Sequence, residues 1–161
     1  MLETALKILL LLIAANAAPI LAARALRSIA DWPVDMGLQL ADGRPLLGSS
    51  KTWRGLCAAL LLTSACSVWL GLGYRFGLLV GALAMLGDLL SSFIKRRRGL
   101  APSDQSLGLD QLPESALPVA YAVLATDLPW WWIIVLPLVF SVLELVVSRP
   151  LYWLKIRKRP Y

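Results

Sequence analysis

The chain reads as an all-α protein, an integral membrane bundle of about five transmembrane helices. Its N-terminus is expected outside and its C-terminus in the cytoplasm. Of 161 residues, 58% are hydrophobic and only 16% charged. An ordinary soluble domain carries about 25% charged residues. The mean hydropathy is +0.69. The apolar residues gather into five blocks, four of them close to the roughly 20 residues that a span needs and the fourth shorter. At this length the chain is a single domain, 1–161.

The first block runs from about Glu3 to Ala23, interrupted by Lys7, Asn16 and Pro19. Its apolar core is long for a signal peptide and no clean cleavage site follows, so it is read as a retained helix. The second runs from about Gly55 to Gly73. The third, about Phe76 to Ile94, follows a tight turn at Gly73-Tyr74-Arg75. The fourth, Ser115 to about Leu128, is short and contains Pro118. The fifth runs from about Trp130 to Val147 around Pro137.

Orientation follows from the cations. Fourteen of the sixteen Lys and Arg lie between Arg24 and Arg54, between Lys95 and Arg98, or in the tail from Arg149 on; only Lys7 and Arg75 fall elsewhere. With five spans those three segments share one side, which is the cytoplasmic one. Most of the seven Trp stand near span ends, where indole favours the headgroup region. The absence of His removes imidazole ligands, an imidazole base and a Ser–His–Asp triad. Cys57 and Cys66 lie in an apolar stretch without metal-binding spacing and read as small core residues.

Chemistry is therefore confined to the two long loops and the helix ends beside them. The loop 41–55 is rich in Gly, Ser and cations and leads into a helix, an arrangement suited to an anion. It is no P-loop, because two residues separate Gly48 from Lys51. The plainer alternative is a hydrated basic loop. Asp88 lies inside the third block. Positions 88, 91, 92 and 95 share one helical face, stacking Asp88, Ser91, Ser92 and Lys95 toward the cytoplasm. That stripe needs a wet cavity or a structural polar face between helices. Arg96, Arg97 and Arg98 serve equally as a headgroup anchor. Before the fourth block stand Asp110, Gln111 and Glu114, the last with Ser115 also suited to a helix start. Asp42, Asp88 and Asp110 thus come from three cytoplasm-facing segments, accompanied by Lys51, Arg54, Lys95, Arg96 and Arg97. Acids and bases mixed at a membrane face fit Mg²⁺ holding a polyphosphate.

The segments Asp42-Gly43-Arg44, Gly48, Lys51-Thr52-Trp53-Arg54-Gly55, Gly87-Asp88, Ser92-Phe93-Ile94-Lys95-Arg96-Arg97 and Asp110-Gln111 resemble the CDP-archaeol synthase family. That family belongs to the membrane CTP:phosphatidate cytidylyltransferases. The resemblance implies Mg²⁺-dependent transfer of CMP from CTP to a lipid phosphate, with release of pyrophosphate. It carries Asp42, Lys51, Thr52, Asp88, Lys95, Arg96 and Asp110 onto family positions. Leu112-Pro113 follows Asp-Gln where archaeal members often place a second acid, and Ser49-Ser50 precedes Lys51 where they often have an acidic or glycine residue. Phosphatidate and a dialkylglycerol phosphate are both open as substrates.

The expected site comprises Asp88, Lys95 and Asp110 as catalytic residues. Asp42, Lys51, Thr52, Arg54, Ser92, Arg96, Arg97 and Gln111 bind substrate. Asp88, Asp110 and Asp42 ligate Mg²⁺. Expected partners are CTP, the lipid phosphate and membrane lipids, with a homodimer left open and nucleic acid excluded. The expected location is the plasma membrane. Two other classes stand beside this one: a small transporter with Asp88 on its path, and a scaffold that binds anionic lipid through the basic loops.

Overall fold

A computed structural model of the chain describes residues 1–101, 104, 106 and 108–153, with side chains as far as 148. The five expected helices are present: α1 Leu2–Leu26, α2 Trp53–Trp69, α3 Tyr74–Arg97, α4 Gln111–Leu124 and α5 Trp132–Trp153. Among the described residues there is no strand, only isolated bridges at Pro33–Thr52 and Gln39–Pro45. The tail cations Lys155, Arg157, Lys158 and Arg159 lie outside the described residues.

Two boundaries differ from expectation. The turn between α2 and α3 falls at residues 70–73, not 73–75. Gly71 and Gly73 take φ of 77° and 81°, which only glycine adopts cheaply, so α2 stops early and Tyr74 and Arg75 already belong to α3. The fourth helix begins at Gln111, not Ser115. Pro113 lies in its first turn, where a missing amide costs nothing.

Helices α1 and α3, of 25 and 24 residues, are long and apolar enough to cross a membrane. Helix α2 and the Trp132–Ser148 part of α5 are shorter apolar helices. Helix α4 has 14 residues and is about 21 Å long, short of the roughly 30 Å hydrocarbon layer.

The helices close a ring in chain order, α5 returning to α1, and α1 also meets α3 and α4. Ile8, Leu11, Leu12 and Ala15 of α1 are accordingly fully buried. Near the α1 N-terminus, Ala5, Ile8 and Leu12 pack with Val119, Ala122, Leu136 and Phe140. Toward its other end, Ala15 and Ala18 pack with Ala59, Ala84 and Met85. Small residues set the α2–α3 spacing. A Cβ on Gly77 would meet Ser67 Cβ at 2.4 Å, and one on Gly81 would meet Thr63 Cβ at 3.2 Å. Such stripes let helix backbones approach where burial from water supplies no drive. The opposite faces expose Leu61, Leu78, Leu86, Leu138, Val142 and Val146, among others. That apolar jacket suits lipid and would be a liability in water.

Antiparallel packing puts the α1 C-terminus, the α2 N-terminus, the α3 C-terminus and the α4 N-terminus at one end. Lys7 and Arg75 lie at the other. The exposed Trp32 and Trp53 mark the first end, and Trp69, Trp130 and Trp131 the second.

Candidate active site

Several of the expected site residues gather at the seam between α3 and α4. Its close approach depends on Gly87, whose Cβ would fall 2.1 Å from Pro113 O and 2.6 Å from Glu114 Cα. One turn on, the buried Ser91 donates its hydroxyl hydrogen between Leu109 O at 2.6 Å and Gly87 O at 3.0 Å. One further turn on, Lys95 Nζ lies 2.6 Å from Asp110 Oδ1 and donates to Asp104 O at 3.0 Å. The face proposed from spacing, 88–91–92–95, therefore does turn inward: Ser91, Ser92 and Lys95 are buried and Asp88 is half-buried.

Asp88 is reached from the loop before α2. Lys51 Nζ stands 2.6 Å from both of its oxygens. Glu114, only 6% exposed, lies close enough to feel the carboxylates of Asp88, Glu144 and Asp110 and the ammonium of Lys51. Two carboxylate–ammonium pairs, Asp88–Lys51 and Asp110–Lys95, thus line one seam beside a third, buried acid.

The loop that delivers Lys51 is built around Asp35, which sequence reasoning passed over. Asp35 is buried and accepts hydrogen bonds from the amides of Gly37 at 3.0 Å and of Leu47 and Gly48, each at 2.8 Å. Burial by itself would raise its pKa. The amides of Gly48, Leu47 and Gly37 outweigh that and hold the carboxyl below its usual range. The signal was Asp35-Met36-Gly37, since Asp two residues before a turn glycine is an Asx-turn pattern.

The remaining expected site residues have structural partners. Asp42 pairs with Arg97 Nη1 and accepts the Arg44 amide at 3.1 Å. That amide above all, joined by Arg97, outweighs the opposing effect of burial and holds its carboxyl below the usual range. Arg97 also donates to Pro45 O at 2.5 Å and lies over the Phe93 ring at 5.5 Å. Asp42 thus answers Arg97, nine residues past Asp88 on α3, while Asp88 is met by Lys51. Thr52 caps α2, its hydroxyl accepting from Gly55 N at 3.3 Å. Arg54 is buried and donates to Arg27 O at 2.6 Å and Ile29 O at 2.9 Å, while pairing with Asp31 at 2.6 Å. It ties the end of α1 to the start of α2. Gln111 is buried and its Oε1 accepts from Gly108 N at 3.0 Å. Ser92 is buried. Arg96 Nη2 donates to Ala101 O at 3.0 Å.

Among the described residues, no three Cys, Asp or Glu side chains come together as a metal cage. A nucleotide-borne Mg²⁺ does not ask for one: it takes one or two carboxylates, with phosphate oxygens and water completing the octahedron. Asp88 and Asp110 are hard oxygen donors of that kind, so the residues fit.

Comparison with known proteins agrees. A sequence model of the CarS-like family, CDP-archaeol synthase, matches residues 1–71 and 62–161. The CDP-archaeol synthase of Pyrobaculum arsenaticum is 32% identical over 154 residues, 91% of each chain. That of Pyrococcus furiosus is 39% identical over 103 residues, 56% of this chain and 62% of that protein. A solved intramembrane enzyme for archaeal membrane lipid biosynthesis superposes with TM-score 0.77 at 30% identity, over 89% of this chain and 92% of that one. Fold and relatives together define a membrane-embedded enzyme, a CTP-dependent cytidylyltransferase acting on a lipid phosphate. The chain belongs to the CarS-like CDP-archaeol synthase family.

Proposed function

We propose that this chain transfers CMP from CTP to the phosphate of a membrane lipid in a Mg²⁺-dependent reaction. The α3–α4 seam is the reaction site, and it faces the cytoplasm from the plasma membrane. The observation that supports this best is the pairing of Asp88 with Lys51 and Asp110 with Lys95, each at 2.6 Å, at the basic end of an apolar bundle. Carboxylates serve a metal-bound triphosphate, and ammonium groups serve the phosphates. With the anions bound, Asp88 and Asp110 would be the metal's ligands, and Lys51 and Lys95 would turn to phosphate oxygen.

A lipid phosphate is already an anion, so its oxygen needs no base to attack the α-phosphorus of CTP. A bond forms between that oxygen and the α-phosphorus. The bond from the α-phosphorus to the bridging oxygen breaks, and pyrophosphate leaves. This accords with a chain that has no His. The barrier is repulsion between two polyanions, and the remedy is charge and alignment. Mg²⁺, when bound, would lie at Asp88 and Asp110 and neutralise triphosphate charge. Lys51 and Lys95 hold phosphate oxygens, and Asp42 orients the loop through Arg97. Lipid tails stay against the apolar jacket while the phosphate reaches the seam. The cytoplasmic orientation rests on the positive-inside rule.

The test uses purified full chain with CTP, Mg²⁺ and a panel of diacyl and dialkyl glycerol phosphates. Asp88→Asn and Lys95→Ala should each lose about a hundredfold or more in turnover. Wild-type rates in both variants would remove the seam from the reaction. The panel names the lipid.

A further inference from the structure

The polar and aromatic marks that bound the apolar jacket stand close together. On α1 the apolar run lies between the charges of Lys7 and the exposed Arg24, about 26 Å apart along the axis. On α2 the exposed Trp53 and Trp69 are about 24 Å apart. The exposed apolar face of α3, from Leu78 to Leu90, covers about 18 Å. Helix α4, about 21 Å long, runs into a non-helical segment, 125–131, that carries the exposed Asp127. Contacts between helices bring these marks into two planes. Gly55 against Pro19, Lys51 against Asp88 and Gly87 against Pro113 align the basic end. Gly77 against Ser67 puts Trp69 level with the start of α3 at the other end. Phe76 packs against the cluster that holds Ala5 and Ile8, so Lys7 stands at that level too.

We propose that this belt fits a hydrocarbon layer of about 24 Å, against about 30 Å in an ordinary bilayer, so that the membrane thins around the bundle. A belt shorter than its bilayer is relieved by thinning the lipid, by long side chains reaching out to water, or by a second copy covering the short flank. Tilting is no remedy, because it shortens the projection of every helix further. Reaching out serves Lys7, Arg24 and Arg75, whose stems are long. It does not serve Asp127, whose carboxylate is held close to the backbone, nor the backbone of 125–131 itself. Irregular backbone exposed to lipid leaves amides and carbonyls without partners. In a layer of about 30 Å that segment would lie in hydrocarbon. In one of about 24 Å it meets the headgroups beside the exposed Trp69 and Trp130. The belt stands whether or not the chain transfers CMP. Where it does, thinning sets the headgroups of the basic end level with Lys51 and Asp88, so a lipid phosphate reaches them without leaving the interface.

The experiment places the purified full chain in vesicles of a single phosphatidylcholine, its monounsaturated chains lengthening from dimyristoleoyl through dipalmitoleoyl and dioleoyl to dierucoyl. Headgroup and charge stay constant while thickness grows. The readout is the thermal unfolding midpoint, which needs neither CTP nor lipid substrate. It should be highest in dimyristoleoyl or dipalmitoleoyl lipid and fall by several degrees toward dierucoyl. A midpoint level across the series, or highest in dioleoyl or dierucoyl lipid, overturns the proposal. Lys7→Leu combined with Asp127→Leu lengthens the belt at the edge away from the seam and should move the optimum toward dioleoyl. An optimum that stays put assigns the preference to something other than the belt. Energy transfer between labelled wild-type copies in the same vesicles is a check that needs no variant. Transfer that grows with chain length while the midpoint holds means a second copy covers the short flanks, which also overturns the thin layer. A chain with the expected optimum that transfers no CMP keeps the belt and loses the proposed reaction.

Discussion

The Lys51 ammonium sits 2.6 Å from each oxygen of Asp88, joining a loop to a helix position 37 residues away. Both side chains are only about one-fifth exposed, at 21% and 23%. A cation shared evenly between two carboxylate oxygens leaves neither of them free. Any Mg²⁺ binding there competes with Lys51.

Removing that competitor should have a two-sided effect. In Lys51→Met, the Mg²⁺ concentration for half-maximal activity should fall severalfold, because no ammonium has to leave Asp88. Turnover should still fall about tenfold or more, because a phosphate partner is lost. Activity titrated against Mg²⁺ at saturating CTP separates the two. An unmoved midpoint would show that Asp88 does not ligate the metal.

Gly87 should tolerate no side chain. Its Cβ would enter the backbone of Pro113 and Glu114, at 2.1 to 2.6 Å, and backbone cannot swing aside. Gly87→Ala should cost at least about 3 kcal/mol, the upper end for overpacking, and should separate Asp110 from Lys95. Gly81→Ala meets only the Thr63 side chain, at 3.2 and 3.3 Å, and Ala59 O at 3.5 Å, so its effect should be clearly smaller. Thermal unfolding in detergent ranks the two, and equal midpoints would contradict the packing at the seam.

Acid should loosen the loop that carries Lys51. The pKa of Asp35 is lower folded than unfolded. Its contribution is therefore present above the unfolded value, about 3.9. It is lost as pH falls through the lower, folded value. Protection from hydrogen exchange across residues 36–50, taken against the intrinsic rate at each pH, should fall below about pH 4 in the wild type. Asp35→Asn should show that lower protection already at neutral pH, with little further change in acid. Slow exchange in the variant would assign the loop's order to other contacts.

Orientation is testable by labelling. In a chain with Cys57 and Cys66 replaced by Ser, Ser50→Cys should resist an impermeant thiol reagent in intact cells. Tyr74→Cys should react. The reverse pattern would place the seam outside.

Much of the architecture was legible in the residues. The five apolar blocks became five helices, since a run of apolar residues and its flanking cations are local properties of the chain. The inward face of α3 was legible too, because helical period alone puts Asp88, Ser91, Ser92 and Lys95 together. The boundary errors at Gly71–Gly73 and at Pro113 came from backbone chemistry weaker than the apolar signal. Thr52, Arg54 and Gln111 were read as substrate contacts, and the structure gives each a capping or bracing partner. Charge and polarity name a candidate without saying which neighbour answers it.

Sequence by itself determined that this is a helical membrane protein with one basic end and acids interleaved among its cations. Only the tertiary structure decided which cation meets which acid: Lys51 with Asp88, Lys95 with Asp110, and Arg97 with Asp42, the last across 55 residues. It also decided that Asp35 holds the loop. The reason is that helix formation is settled within a few turns of chain. Ion pairing is settled by tertiary approach: a loop brings Lys51 and Asp42 to α3, and the Lys95–Asp110 pair depends on how closely α4 approaches α3 at the missing Cβ of Gly87.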